Sequence, residues 1–159
     1  MKKNVVYKVF SNPIYFIAFG FGSGLSPFAP GTCGTLVAIP LYYLIHSFSL
    51  INYSLILFLA IVIGIWLCDI TERDIGIHDY SGIVWDEICG FGLTMLAAPK
   101  GWLWIVLGFF LFRLFDIVKP WPIAWMDRKL PRGFGVMLDD LMAAVYAWLV
   151  LHLIHHLFF

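Results

Sequence analysis

Residues 141–159 contain no Asp, Glu, Lys or Arg, and Asp139 and Asp140 stand directly at the mouth of this apolar run. A stretch of that length and polarity reads as a helix crossing the ~30 Å hydrocarbon core of a bilayer. Two adjacent carboxylates at its mouth are costly to desolvate unless something cationic sits beside them. The pattern repeats: Asp86 and Glu87 open another apolar run, and Asp116 lies at the end of a third. Carboxylates gathered at the ends of apolar runs point to a hard-metal site beside lipid.

At 159 residues the chain reads as one domain, residues 1–159. Its composition, 62% hydrophobic and 13% charged, is that of a bilayer protein rather than a soluble one. A net charge of zero gives no electrostatic case for nucleic acid, and no obligatory protein partner is evident. Apolar segments cover residues 34–50, 53–68, 88–98, 102–115 and 141–159. They predict an all-α integral membrane bundle of about five apolar helices. The middle two are shorter and are joined by the turn Pro99-Lys100-Gly101, so they form a hairpin that crosses partly or fully.

Lys2, Lys3 and Lys8 place the N-terminus on the inner side by the positive-inside rule. Five crossings then gather three polar stretches on that same side, residues 19–35, 69–87 and 113–140. These hold nearly all of the charge, glycine and proline, so the predicted active-site loops are cytoplasmic. Cys33, Cys68 and Cys89 show no metal-ligand spacing and read as buried thiols.

The first polar stretch, rich in Gly and Pro through Pro30-Gly31-Thr32, precedes a helix. Glycines let backbone amides approach a ligand, a helix N-terminus favours anions, and Thr32 suits a capping hydroxyl. The same composition also serves a closely packed turn, and no P-loop spacing follows. In the second stretch Gly82, Asp86 and Gly90 recur every four residues and would share one helical face, with Glu87 about 100° away. The neighbouring dyad His78-Asp79 lacks the further His and Asp partners of a His-Asp metal phosphohydrolase.

In the third stretch Arg113, Asp116 and Lys119 follow at i, i+3 and i+6. They read either as a salt-bridged helix end or as a carboxylate with two cations that grip a phosphate. Arg128, Lys129 and Arg132 form a basic cluster that anchors the inner side. Asp139 and Asp140 either cap the last helix or face a metal, and both reach one cluster only if the helix begins at the pair. His152, His155 and His156 have metal-like spacing but lie at the far end of that helix, where interfacial placement is the better reading.

Taken together, the motifs resemble the phosphatidylglycerophosphatase A family. The resemblance rests on Gly20 to Gly24 with Pro30-Gly31-Thr32, on Ile83-Val84-Trp85-Asp86-Glu87 with Gly90, and on Phe112-Arg113-Leu114-Phe115-Asp116. It continues through Lys119-Pro120-Trp121-Pro122 and Gly133-Phe134-Gly135-Val136-Met137-Leu138-Asp139-Asp140, with Thr35 where such families carry Ser. It implies an all-helical, Mg²⁺-dependent phosphatase of the bacterial inner membrane that converts phosphatidylglycerophosphate, a phospholipid, to phosphatidylglycerol and phosphate. On this reading Asp86, Glu87, Asp139 and Asp140 hold one or two Mg²⁺ ions, and Asp86, Asp116, Asp139 and Asp140 form the catalytic set. Thr32, Thr35, Arg113 and Lys119 bind the substrate phosphate.

No cysteine-phosphatase spacing and no Asp-x-Asp-x-Thr run appears, which favours metal-assisted attack by water. Two alternatives stand beside this one. A lipid-phosphate transferase or acyltransferase would release little free phosphate, and a non-enzymatic carrier or channel would place polar residues through the depth of its spans.

Overall fold

The structure, a computed structural model, describes residues 2–77, 80–129 and 132–158. The His78-Asp79 dyad lies outside them, as do the side chains of Lys2, Lys3, Arg128 and Arg132. The described residues form helices joined by turns and loops, without strands: α1 (Lys2–Ser11), α2 (Pro13–Ala18), a short 3-10 turn (Ser23–Leu25), α3 (Pro30–Ile45), α4 (Leu50–Ile75), α5 (Trp85–Thr94), α6 (Trp102–Val118), α7 (Ile123–Lys129) and α8 (Arg132–Phe158).

Local chemistry sets the boundaries. Asn12 accepts a hydrogen bond from the Ile14 amide at 2.9 Å, and Pro13 pre-sets the first turn of α2. Ser49 caps α4 by accepting from the Asn52 amide. Gly76, at φ 74°, closes α4 in the left-handed region. Thr32 does not cap α3, contrary to the sequence reading. The N-cap is Ala29, at φ 43° and without a side-chain bond, and Pro30 opens the helix.

Helix α8 is the axis of the fold, packed against α4, α5, α6 and α7. Its buried Ala143, Ala144 and Ala147 let the neighbouring helices close on a core with Phe91, Met95 and Phe112. A second core joins Val9, Tyr15 and Phe19 to Cys68 and Met137, tying α1 and α2 to α4 and α8. The exterior is apolar as well: Phe58, Trp66, Phe110, Leu114 and Leu153 are all more than half exposed. Such a surface is matched to lipid rather than water.

Two helices, over Leu50–Ile75 and Gly133–Phe158, are long and apolar enough to cross a membrane. The remaining three apolar segments form shorter helices. The 16 residues of α3 and 17 of α6 rise ~25 Å, and the ten of α5 only ~15 Å, half of a hydrocarbon core.

Helix α8 also begins earlier than its apolar run. It starts at Arg132, so Asp139 and Asp140 lie two turns inside it, each 4% exposed, and the first turn holds no acidic residue. The pair therefore does not cap the helix. Residues 133–138 are apolar or glycine, and they extend the helix backwards to bury the pair in the bundle.

Candidate metal and phosphate site

Helix starts and ends converge on one cavity of about 260 Å³. The first turn of α3 contributes Pro30 and Gly31, the first turn of α5 contributes Asp86 and Glu87, and the last turns of α6 contribute Arg113 and Asp116. Lys119 follows from the end of α6, and the interior of α8 adds Asp139 and Asp140. Gly90 lets α5 lie against α8, because a Cβ there would stand 2.6 Å from the Phe112 ring and 3.3 Å from the Asp140 carbonyl.

Asp86, Glu87 and Asp140 each direct a carboxylate oxygen to a common point, with those oxygens within 4.8 Å of one another. Asp86 Oδ1, Glu87 Oε2 and Asp140 Oδ2 are buried and lack a hydrogen-bond partner. The acids otherwise pair with each other, Asp86 with Glu87 and Asp140 with Asp116. Burial first, and the Glu87 charge beside it second, hold Asp86 well above the usual carboxylate range. Burial and the Asp140 charge push Glu87 up to about 8. Burial thus favours the protonated forms of these acids, and a cation held among them favours the ionised ones. Orphaned hard oxygens, closely grouped, are the donor set that a hard divalent cation uses.

The two cations are held separately. Arg113 Nη1 stands 2.6 Å from Asp116 Oδ2 and 3.9 Å from Glu87 Oε1, in ionic contact without hydrogen-bond alignment. Lys119, at the end of α6 and left-handed at φ 43°, donates to Asp139 Oδ2 at 2.6 Å. Asp139 therefore faces Lys119 while Asp140, the next residue round the helix, faces Asp86 and Glu87. The ~100° step between consecutive helical residues divides the pair between two tasks.

Most of the residues singled out in the sequence meet here: Asp86, Glu87, Arg113, Asp116, Lys119, Asp139 and Asp140 all line the cavity. Thr32 and Thr35 do not. Thr35 is fully buried, and its hydroxyl donates to the Gly31 carbonyl at 3.0 Å within α3. Gly82 precedes α5 instead of sharing its face. Ser81, exposed at the cavity edge, is not legible in the sequence, because a lone serine in a loop carries no spacing signal.

The histidines lie apart. His152 is about 18 Å along α8 from Asp140; its ring nitrogens contact the carbonyls of Trp148 and Ala97. His155 packs edge-on against Trp104.

The sequence profile of the phosphatidylglycerophosphatase A family matches residues 16–155. A phosphatidylglycerophosphatase A of Escherichia coli (strain K12) is 48% identical over 147 residues, covering 92% of this chain and 86% of its own. The protein of the same name from Haemophilus influenzae is 45% identical, covering 91% and 90%. A putative phosphatidylinositol-3-phosphatase of Bacteroides thetaiotaomicron is 41% identical, covering 85% and 89%. No solved structure matches.

Proposed function

The chain belongs to the phosphatidylglycerophosphatase A family, and we propose that the carboxylate cavity is where it performs its hydrolysis. The enzyme is a phosphatase: phosphatidylglycerophosphate and water give phosphatidylglycerol and inorganic phosphate. One observation carries the assignment of the site. Five carboxylates and only two cations line the cavity. With those carboxylates ionised, a phosphate anion entering it meets a field of its own sign unless a divalent cation is held there.

Asp86, Glu87 and Asp140 are the residues that would hold Mg²⁺, which suits an all-oxygen donor set. When bound, the ion offsets phosphate charge and acts as a Lewis acid at the phosphoryl oxygens. Arg113 and Lys119 bind phosphate oxygens, steadied by Asp116 and Asp139 respectively. The first-turn amides of α3, which have no intrahelical acceptor, add donors beside Gly31. Asp116 accepts the proton of the attacking water as its oxygen bonds to phosphorus; the bond from phosphorus to the glyceryl oxygen breaks, and Asp116 returns the proton to that oxygen to give the product alcohol. Dividing the acids in this way moves Asp139 from the metal set, where the sequence put it, to the positioning of Lys119.

The same reading places α4 and α8 across a bacterial inner membrane, with the cavity at its cytoplasmic face. Arg73 lies at the C-terminal end of α4, where Lys8 of α1 pairs with Asp74, and Arg113 and Lys119 lie at that of α6, in keeping with the positive-inside rule. The phospholipid substrate then presents its phosphate from the leaflet in which it resides.

Phosphate release from phosphatidylglycerophosphate by the purified protein, in mixed micelles, tests the metal assignment. Chelator treatment stops turnover and added Mg²⁺ restores it; an undiminished rate in chelator overturns the assignment.

A further inference from the structure

A second cavity, of about 410 Å³, adjoins the first and shares Pro30 and Ser81 with it. Val5 and Val6 of α1, Gly24 to Pro27, and Tyr80 to Gly82 line it. Its character differs from that of its neighbour. The carboxylate cavity is lined by seven side chains of Asp, Glu, Lys or Arg, whereas no described residue lining the second is one of these or a histidine. Ser81 is exposed and borders both, and the N-terminus of α3 stands at the junction.

Resting on the hydrolysis proposed above, we infer that the second cavity receives the leaving-alcohol side of the substrate, its glycerol unit and internal phosphodiester. The substrate carries two phosphates separated by one glycerol. Only the terminal phosphate is cleaved, so the remainder must leave the carboxylate cavity within a few bonds of phosphorus. The walls supplied by α5, α6 and α8 are occupied by the paired acids and cations. The side at Pro30 and Ser81 opens instead into a larger space.

Charge supports the same direction. The internal phosphodiester is an anion, and it is better placed in a cavity without acids, near the positive end of α3, than above the acidic triad. Ser81 supplies a hydroxyl where the glycerol oxygens pass between the two cavities, and the apolar parts of Val6 and Leu25 cover its carbon atoms. Ser81 thus becomes a specificity residue that touches the alcohol, and Val6 a wall that sets how large an alcohol enters.

Val6→Trp is the test, because Val6 is 43% exposed and lines the cavity, so a larger side chain there takes up its space. KM for phosphatidylglycerophosphate in mixed micelles rises about tenfold while kcat stays within about twofold, the signature of lost binding without lost chemistry. The inhibition constant of inorganic phosphate, which reads the carboxylate cavity alone, stays within about twofold. Pro27→Trp, at an exposed position that lines the second cavity alone, shows the same split if Val6→Trp does not fold. An unchanged KM, or an equal rise in KM and in the phosphate inhibition constant, overturns the inference. An unmodified protein that releases no phosphate overturns the hydrolysis itself and is thereby distinguished from failure of the second cavity.

Discussion

Replacing Gly31 by alanine separates the cost of disturbing the site from the cost of disturbing the fold. Gly31 is the second residue of α3 and has helical backbone angles, so alanine is not strained there and is if anything the better helix former, by up to ~1 kcal/mol. The new methyl group meets Glu87 Oε1 and lies 3.1 Å from Arg113 Nη1. The atom in the way is the end of a flexible side chain, so Glu87 yields while the helix stays in place. To regain ordinary contact its carboxylate retreats by roughly an ångström from the point it shares with Asp86 and Asp140. Misplacement of about 1 Å costs on the order of 10²-fold in rate, or about 2.7 kcal/mol of transition-state stabilisation. Initial rates of phosphate release at saturating Mg²⁺ read the first quantity, and a thermal midpoint by tryptophan fluorescence reads the second. A roughly hundredfold loss in kcat with an unchanged midpoint is the expected result. A rate within about threefold of the unsubstituted protein would show that Glu87 need not stand where the structure places it.

The remaining predictions concern individual side chains. Thr35→Val, which removes a hydroxyl bonded inside α3, leaves activity within about threefold and lowers stability by ~1 kcal/mol, measured on the same preparations. Lys119→Met leaves the buried Asp139 carboxylate without its ammonium partner, so kcat/KM for phosphatidylglycerophosphate falls by about 10²-fold and the thermal midpoint drops as well. With Glu87 pushed up to about 8 in the metal-free site, the cation must displace its proton at lower pH. Because Asp86 is raised too, calorimetric Mg²⁺ affinity weakens by at least about tenfold per unit as pH falls below ~8. An affinity that is flat from pH 6 to 9 contradicts that reading.

Sequence reading finds the side chains of the site far better than their geometry, for a physical reason. Carboxylates at the edges of apolar runs are conspicuous because burial makes them costly, and Asp86, Glu87, Asp116, Asp139 and Asp140 all prove to line one cavity. Hydropathy marks where side chains turn apolar, not where backbone hydrogen bonding begins. The run at residue 141 therefore concealed a helix that starts at Arg132 and carries the Asp pair well inside it. The reverse happens in α4, which continues beyond the apolar run at Cys68 through Asp69, Glu72 and Asp74 to Ile75. Helical spacing likewise put Lys119 beside Arg113. The end of α6 at Val118 and the left-handed turn that follows send Lys119 to Asp139 instead, a tertiary choice with no local signature. Thr35 shows the converse limit. A hydroxyl near a glycine-rich turn reads as a ligand contact, but inside a helix it has the carbonyl of the preceding turn within reach.

The central claim is that Asp86, Glu87 and Asp140 together hold the divalent cation on which hydrolysis depends. Its most direct test is Mn²⁺ binding to the metal-stripped protein, followed by electron paramagnetic resonance, for the unsubstituted chain and for Asp140→Asn. Loss of the free Mn²⁺ signal at near-stoichiometric protein, and affinity weakened at least about tenfold in the variant, is the predicted result. Equal Mn²⁺ affinity in the two proteins would contradict it.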